Sequence, residues 1–94
     1  MEAISELMAK HGFTPSMKSA DGHMVHFIHM DCLAGITFIN VEGTLRFKVT
    51  GFLPQSSVRV TTEYHDWAER EKLLWMQVKQ VHTAIMGYMD RNET

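Results

Sequence analysis

The stretch Thr44-Leu45-Arg46-Phe47-Lys48-Val49-Thr50 alternates polar and apolar side chains without a break. A period of two is the mark of a strand with one buried face and one wet face. The segment just before it, residues 36–41 (Ile-Thr-Phe-Ile-Asn-Val), is also strand-like, and Glu42-Gly43 between the two has the length of a hairpin turn. Glutamate is a poorer first turn residue than Asn or Asp, but glycine supplies the second position. With that turn the register follows: Asn40 faces Leu45, Phe38 faces Phe47 and Ile36 faces Val49. All five apolar members then share one face, so the pairing is self-consistent. The opposite face shows Thr37, Ile39, Val41, Thr44, Arg46 and Lys48.

Two further strands are expected around this hairpin. Residues 23–30 carry Val25, Phe27 and Ile28, and residues 57–62 (Ser-Val-Arg-Val-Thr-Thr) alternate again, with Arg59 on the wet side. Gly51 to Ser56 reads as a loop, as does Thr14 to Gly22 with its Pro, Ser, Asp and Gly. Asp31 to Gly35 reads as a turn. If the last strand pairs with Thr50 opposite Ser57, Lys48 stands across from Arg59. Like charges so placed are mildly destabilising, and a sequence keeps them by chance or because an anionic partner relieves them.

Helices are expected at both ends. In residues 2–11, Ile4, Leu7, Met8 and His11 share one side, and His11-Gly12-Phe13 reads as a C-terminal stop. Such a helix is too short to stand alone. From residue 66 to 91, Trp67, Leu74, Val78, Val81, Ile85 and Tyr88 form an amphipathic stripe, and Asp66 with Glu69 is a capping-box pair. That helix outruns a strand of six residues, so unless it crosses the sheet obliquely its end at Ile85-Met86-Gly87-Tyr88-Met89 is expected to overhang. The fold class is therefore α+β: a four-stranded antiparallel meander with both helices on one face, in a single domain over residues 1–94. An apolar content of 45% supports a small core in 94 residues.

Charge is unevenly placed in a chain of net −2. Residues 33–62 hold Arg46, Lys48 and Arg59 against Glu42, while the two flanking thirds are acidic. Positive charge thus gathers on one side of a sheet, which makes Arg46, Lys48 and Arg59 candidate partner-binding residues. Phe27 joins them if the strand over 23–30 turns Met24, His26, Ile28 and Met30 inward. An aromatic amid cations is the pattern of a nucleic-acid platform. With the opposite parity Phe27 is core and the face is merely basic. A second candidate surface is the long helix, where Met86 and Met89 lie close to Trp75 on a helical wheel and Met76 lies off the stripe.

The chemistry-bearing residue types form no catalytic pattern. His23, His26, His29 and Cys32 recur at a constant spacing of three, which invites a zinc reading. On a strand, however, residues three apart point to opposite faces, so no metal and no cofactor are expected. Cys32 lacks a nucleophile elbow, and the glycines are spread singly as turn and cap residues, with no phosphate loop. A single cysteine excludes an internal disulfide and fits a reducing compartment. No apolar run approaches the ~18–20 residues of a membrane span, and the start of the chain lacks a signal-peptide pattern. The expectation is a complete, non-enzymatic, cytoplasmic protein without membrane contact, monomeric or homodimeric.

The order helix, strands, helix is similar to that of a double-stranded RNA-binding domain. The extra strand separates them, as do Glu69 and Glu71, which stand where that family's last helix is basic. In its compact span from Met1 to Thr94, its Glu42-Gly43 hairpin and its Arg46/Lys48/Arg59 face beside acidic helices, the chain resembles small phage-encoded inhibitors of host machinery, including anti-CRISPR proteins. That resemblance implies a protein that blocks a nucleoprotein complex of its host by occupying its surface, with RNA or DNA touched at the edge. Other expectations are a nucleic-acid-binding module on the open sheet face and a homodimeric regulatory or structural subunit.

Overall fold

A computed structural model of the chain describes residues 2–68 and 71–92. The order is α1 (Glu2–Lys10), β1 (Thr14–Lys18), β2 (Met24–His29), β3 (Ala34–Val41), β4 (Thr44–Phe52), β5 (Arg59–Thr61), β6 (His65–Asp66) and α2 (Glu71–Asn92). All strand pairs are antiparallel, in the spatial order β1-β2-β3-β4-β5, with β6 also on β4. The α+β class and the antiparallel sheet stand as the alternation predicts. The strand count does not, because six segments pair among the described residues rather than four.

The central hairpin forms in the expected register, with Ile36 opposite Val49, Phe38 opposite Phe47 and Asn40 opposite Leu45. Glu42 and Gly43 both take positive φ, 52° and 82°, as a type I′ turn requires. The Asn40 side-chain carbonyl accepts the Gly43 N–H at 3.1 Å, which satisfies the turn's inner donor. The stop of α1 is also as expected. Gly12 has φ 83°, the Phe13 N–H reaches the Met8 carbonyl at 2.9 Å and the Gly12 N–H reaches Ala9 at 3.0 Å. Those two bonds make a Schellman motif, and the buried Phe13 folds back on the helix end.

Three differences have identifiable causes. First, residues 14–18 pair with β2 as an edge strand despite Pro15, because an irregularity between Pro15 and Met17 absorbs the missing donor. Second, Gly35 and Gly51 lie within strands, not in turns: β3 starts at Ala34 and β4 continues to Phe52. At Gly51 the reason is the close approach of α2. A Cβ there would lie 2.8 Å from Ile85 Cγ1 and 3.1 Å from the Val81 carbonyl oxygen.

Third, the last strand is broken in two. Thr61 pairs with Thr50 and Arg59 with Phe52, so Lys48 does not face Arg59. Across the break the pairing shifts by one residue, to Asp66 opposite Arg46. Thr62 bridges the shift. Its N–H donates to the Val49 carbonyl, and its hydroxyl accepts the Val49 N–H, each at 2.9 Å. Asp66 is consequently a strand residue on β4 and not the cap of α2, while Glu69, its capping-box partner, lies outside the described residues.

The core lies between the sheet and the two helices. Val25, Phe27, Ala34, Ile36, Phe38, Phe47 and Val49 meet Leu74, Val78 and Val81 of α2 and Ile4 and Met8 of α1. Phe38 and Phe47 are fully buried, and Trp67 stands edge-on to both at 5.4 and 5.7 Å. Trp67 and Leu45 of the expected core are half-buried at its margin. Ile85 is fully buried against β4, so the overhang of α2 begins only after it, where Met86 and Tyr88 are exposed. Among the described residues no helix is long and apolar enough to cross a membrane.

Candidate functional site on the open sheet face

Both helices pack on one side, which leaves the other face of the sheet open. The strand registers arrange its side chains in rows that cross β2, β3 and β4. Met24, Ile39 and Arg46 form one row, His26, Thr37 and Lys48 the next, and Ile28, Gly35 and Thr50 the third. Phe52 and Arg59 pair at the far end. A groove of about 720 Å³ runs over the last rows. Its polar members are His26, Thr37, Lys48, Thr50, Gln55 and Arg59. Its apolar members are Ile28, Met30, Phe52, Leu53 and Pro54.

Gly35 and His26 make the floor. A Cβ on Gly35 would lie 2.7 Å from His26 Cε1 and Nε2, so the imidazole rests on the bare backbone. His26 Nδ1 and the Thr37 hydroxyl share a hydrogen bond of 2.8 Å, which fixes the ring. Partial burial, and then the nearby Lys48 ammonium, hold the His26 pKa below the ordinary histidine value. Both effects favour the neutral imidazole, and the groove's fixed charge comes from Lys48 and Arg59. No carboxylate is found among the described residues that line it.

The three predicted cations share this face but differ in state. Arg46 Nε lies 3.3 Å from Asp66 Oδ1, so the shift between β5 and β6 brings a counter-charge to it. Lys48 places its ammonium 5.0 Å from the centroid of the Tyr64 ring. Arg59 donates from Nη1 to the Ser56 and Val58 carbonyls at 2.9 and 2.8 Å, and its guanidinium carbon is 6.0 Å from the Phe52 ring centroid. Those contacts hold the guanidinium at the groove's end.

The other predicted binding residues are placed elsewhere. Phe27 is 1% exposed and faces the core opposite Ile36, the second of the two parities open to β2, so as a candidate partner-binding residue it is removed from the open face. The parity of β2 is decided by burial: Val25 and Phe27 turn inward and Met24, His26 and Ile28 turn out. Trp75 is half-buried and joins the helices. Its ring lies 4.1 Å from His11 and 5.9 Å from Phe13, and its indole N–H donates to Glu71 at 3.1 Å. Met76 is 51% exposed and Met86 37%, while Met89 is half-buried. Met76 and Met86 are about 80° apart around α2 and about 15 Å apart along it, so they form no common strip.

His26 and His29 point to opposite sheet faces, His29 lying edge-on to Phe13 at 5.2 Å on the helix side. Among the described residues no three His, Cys, Asp or Glu side chains are grouped to hold a metal ion. Sequence reasoning missed His26, Gly35, Thr37 and Phe52 as site residues. For the first three the missing signal was the register of β2 on β3, which aligns His26 with Thr37 and Lys48, and for Phe52 it was the extension of β4 to pair with Arg59. No family model, curated protein or solved structure matches the chain.

Proposed function

We propose that the protein is a non-catalytic binding protein that occupies the surface of a nucleic-acid-handling complex through the open face of its sheet. This is the mode of action implied by its resemblance to small phage-encoded inhibitors, including anti-CRISPR proteins. One observation carries the reading: Lys48 and the tethered Arg59 line a groove whose described lining contains no carboxylate, in a chain of net −2. Cations gathered on one face of an acidic molecule steer it towards an anionic patch and orient it on arrival. The groove also offers apolar surface beside those cations, which is the mixed lining of a recognition site.

The test is capture from a native extract by immobilised wild-type protein and by the Lys48→Glu/Arg59→Glu variant in parallel. A nucleic-acid-handling complex should be retained by the wild type, should survive nuclease treatment and should be lost with the variant. Equal retention by both proteins would move the contact off the open face. An extract that yields only free nucleic acid would point instead to a nucleic-acid-binding module.

A further inference from the structure

The groove has two kinds of wall, and their spacing is informative. Lys48 lies two rows from the Phe52–Arg59 pair, four residues along β4. That is about 13 Å along the strand at ~3.3 Å per residue. An extended peptide laid in the same direction brings residues i and i+4 to the two cations. Its residue i+2, on the same side of the peptide, then falls between them at the Ile28–Gly35–Thr50 row, over Thr50 and next to the bare Gly35, in a groove whose lining also includes Ile28 and Met30.

The surroundings argue against a nucleic acid as the occupant. A strand of RNA or DNA needs a continuous basic track and ring faces on which bases stack. Here the track is interrupted beyond Lys48, because Asp66 neutralises Arg46. The Phe52 and Tyr64 rings already have Arg59 and Lys48 as their cationic neighbours. Carboxylates can meet those cations from the front without displacing them. The bonds from Arg59 to Ser56 and Val58 reduce the ordering that such a contact requires.

We infer that the groove holds an extended acidic segment of a partner protein, patterned acid-x-apolar-x-acid, with its carboxylates on Lys48 and Arg59 and its apolar side chain over the floor between them. The inference rests on the open face being the binding surface and adds which component of the partner it grips.

The experiment is an amide NMR titration of the 94-residue chain with a short peptide of glutamate, serine, leucine, serine and glutamate flanked by neutral spacers. Controls are the same peptide with glutamines for glutamates, the same peptide with serine for leucine, and a short oligouridylate RNA. The acidic peptide should give saturable shifts centred on His26, Ile28, Thr37, Lys48, Thr50 and Arg59. Both peptide controls should bind about tenfold more weakly or worse, as should the acidic peptide to Lys48→Glu. Met76→Glu, on the far side of α2, should leave binding unchanged. Equal shifts from the acidic and glutamine peptides, or shifts outside the groove, would overturn the inference. Groove shifts from the RNA alone would overturn it while leaving the open face as the binding surface. The capture experiment with Lys48→Glu/Arg59→Glu tests that broader reading independently.

Discussion

His26 is the residue at which fold and candidate site meet. Its ring rests on Gly35, shares a hydrogen bond with Thr37 and feels Lys48 across the sheet. Because burial and that ammonium lower its pKa in the folded state, the unfolded chain takes up the proton first, near the ordinary value of about 6.5. The contribution of this group to stability therefore falls as pH drops below that value and levels off once the folded imidazole is also protonated. Urea melts at about pH 7.5 and about pH 5.5 should show a smaller acid loss in His26→Gln than in the wild type. An identical loss in both would show that the imidazole titrates as though exposed. On the other face, Phe47 is fully buried and has aromatic neighbours in Phe38, Trp67 and His65. Phe47→Ala should cost about 3–5 kcal/mol in a urea melt, the range for truncating a buried aromatic. A loss within scatter would mean that the sheet does not present this face to the core.

At the scale of elements, the contact between α2 and β4 is set by one glycine. Ile85 and the Val81 backbone come close enough to Gly51 that even a methyl group would press on them. Gly51→Val should destabilise more than Gly51→Ala, by about 1–3 kcal/mol relative to wild type, since overpacking a tight contact forces a backbone shift. Equal melts for wild type and Gly51→Val would show that α2 rides higher on the sheet. How far such elements can be read from sequence depends on whether the deciding contact is local. The 36–50 hairpin was legible because Glu42-Gly43 and the alternation on both sides specify one register between them. The end of α1 was legible because Gly12 and Phe13 act on their own turn. The strand role of Gly51 depends on a helix 30 residues away, and a glycine before a proline-containing stretch reads locally as a loop. The division of β5 from β6 depends on the Thr62 side chain replacing a ladder bond to Val49, which no periodicity records. The parity of β2 was open for the same reason. Both of its faces carry apolar residues, and only packing against Ile36 and Phe38 chooses Val25 and Phe27. Thus the cations of the open face were found, while the floor that makes a groove of them was not.

Over the whole molecule, two helices on one side of the sheet divide the labour between its faces. The packed side holds the aromatic core, and the open side is left to carry charge. Its three strand cations are unequal, and the inequality can be measured. Arg46 is neutralised by Asp66 through an exposed pair, which is worth at most about 1 kcal/mol to the fold. Reversing it sets two acids opposite each other, so Arg46→Glu should lower the urea midpoint slightly and change partner binding little. Lys48→Glu and Arg59→Glu should do the reverse. Exposed charges away from such pairs usually change stability by no more than ~0.5 kcal/mol, so folding should survive. Association with the captured partner should slow with each reversal and nearly vanish with both, and wild-type association should fall as salt is raised. Surface plasmon resonance at several salt concentrations, with urea melts of the same preparations, separates the two effects. If all three reversals slow association equally, charge is read as a diffuse field and the groove has no special part. If Lys48→Glu and Arg59→Glu bind as the wild type does, the open face is not the contact surface, and the exposed end of α2 around Met86 and Tyr88 becomes the place to mutate next.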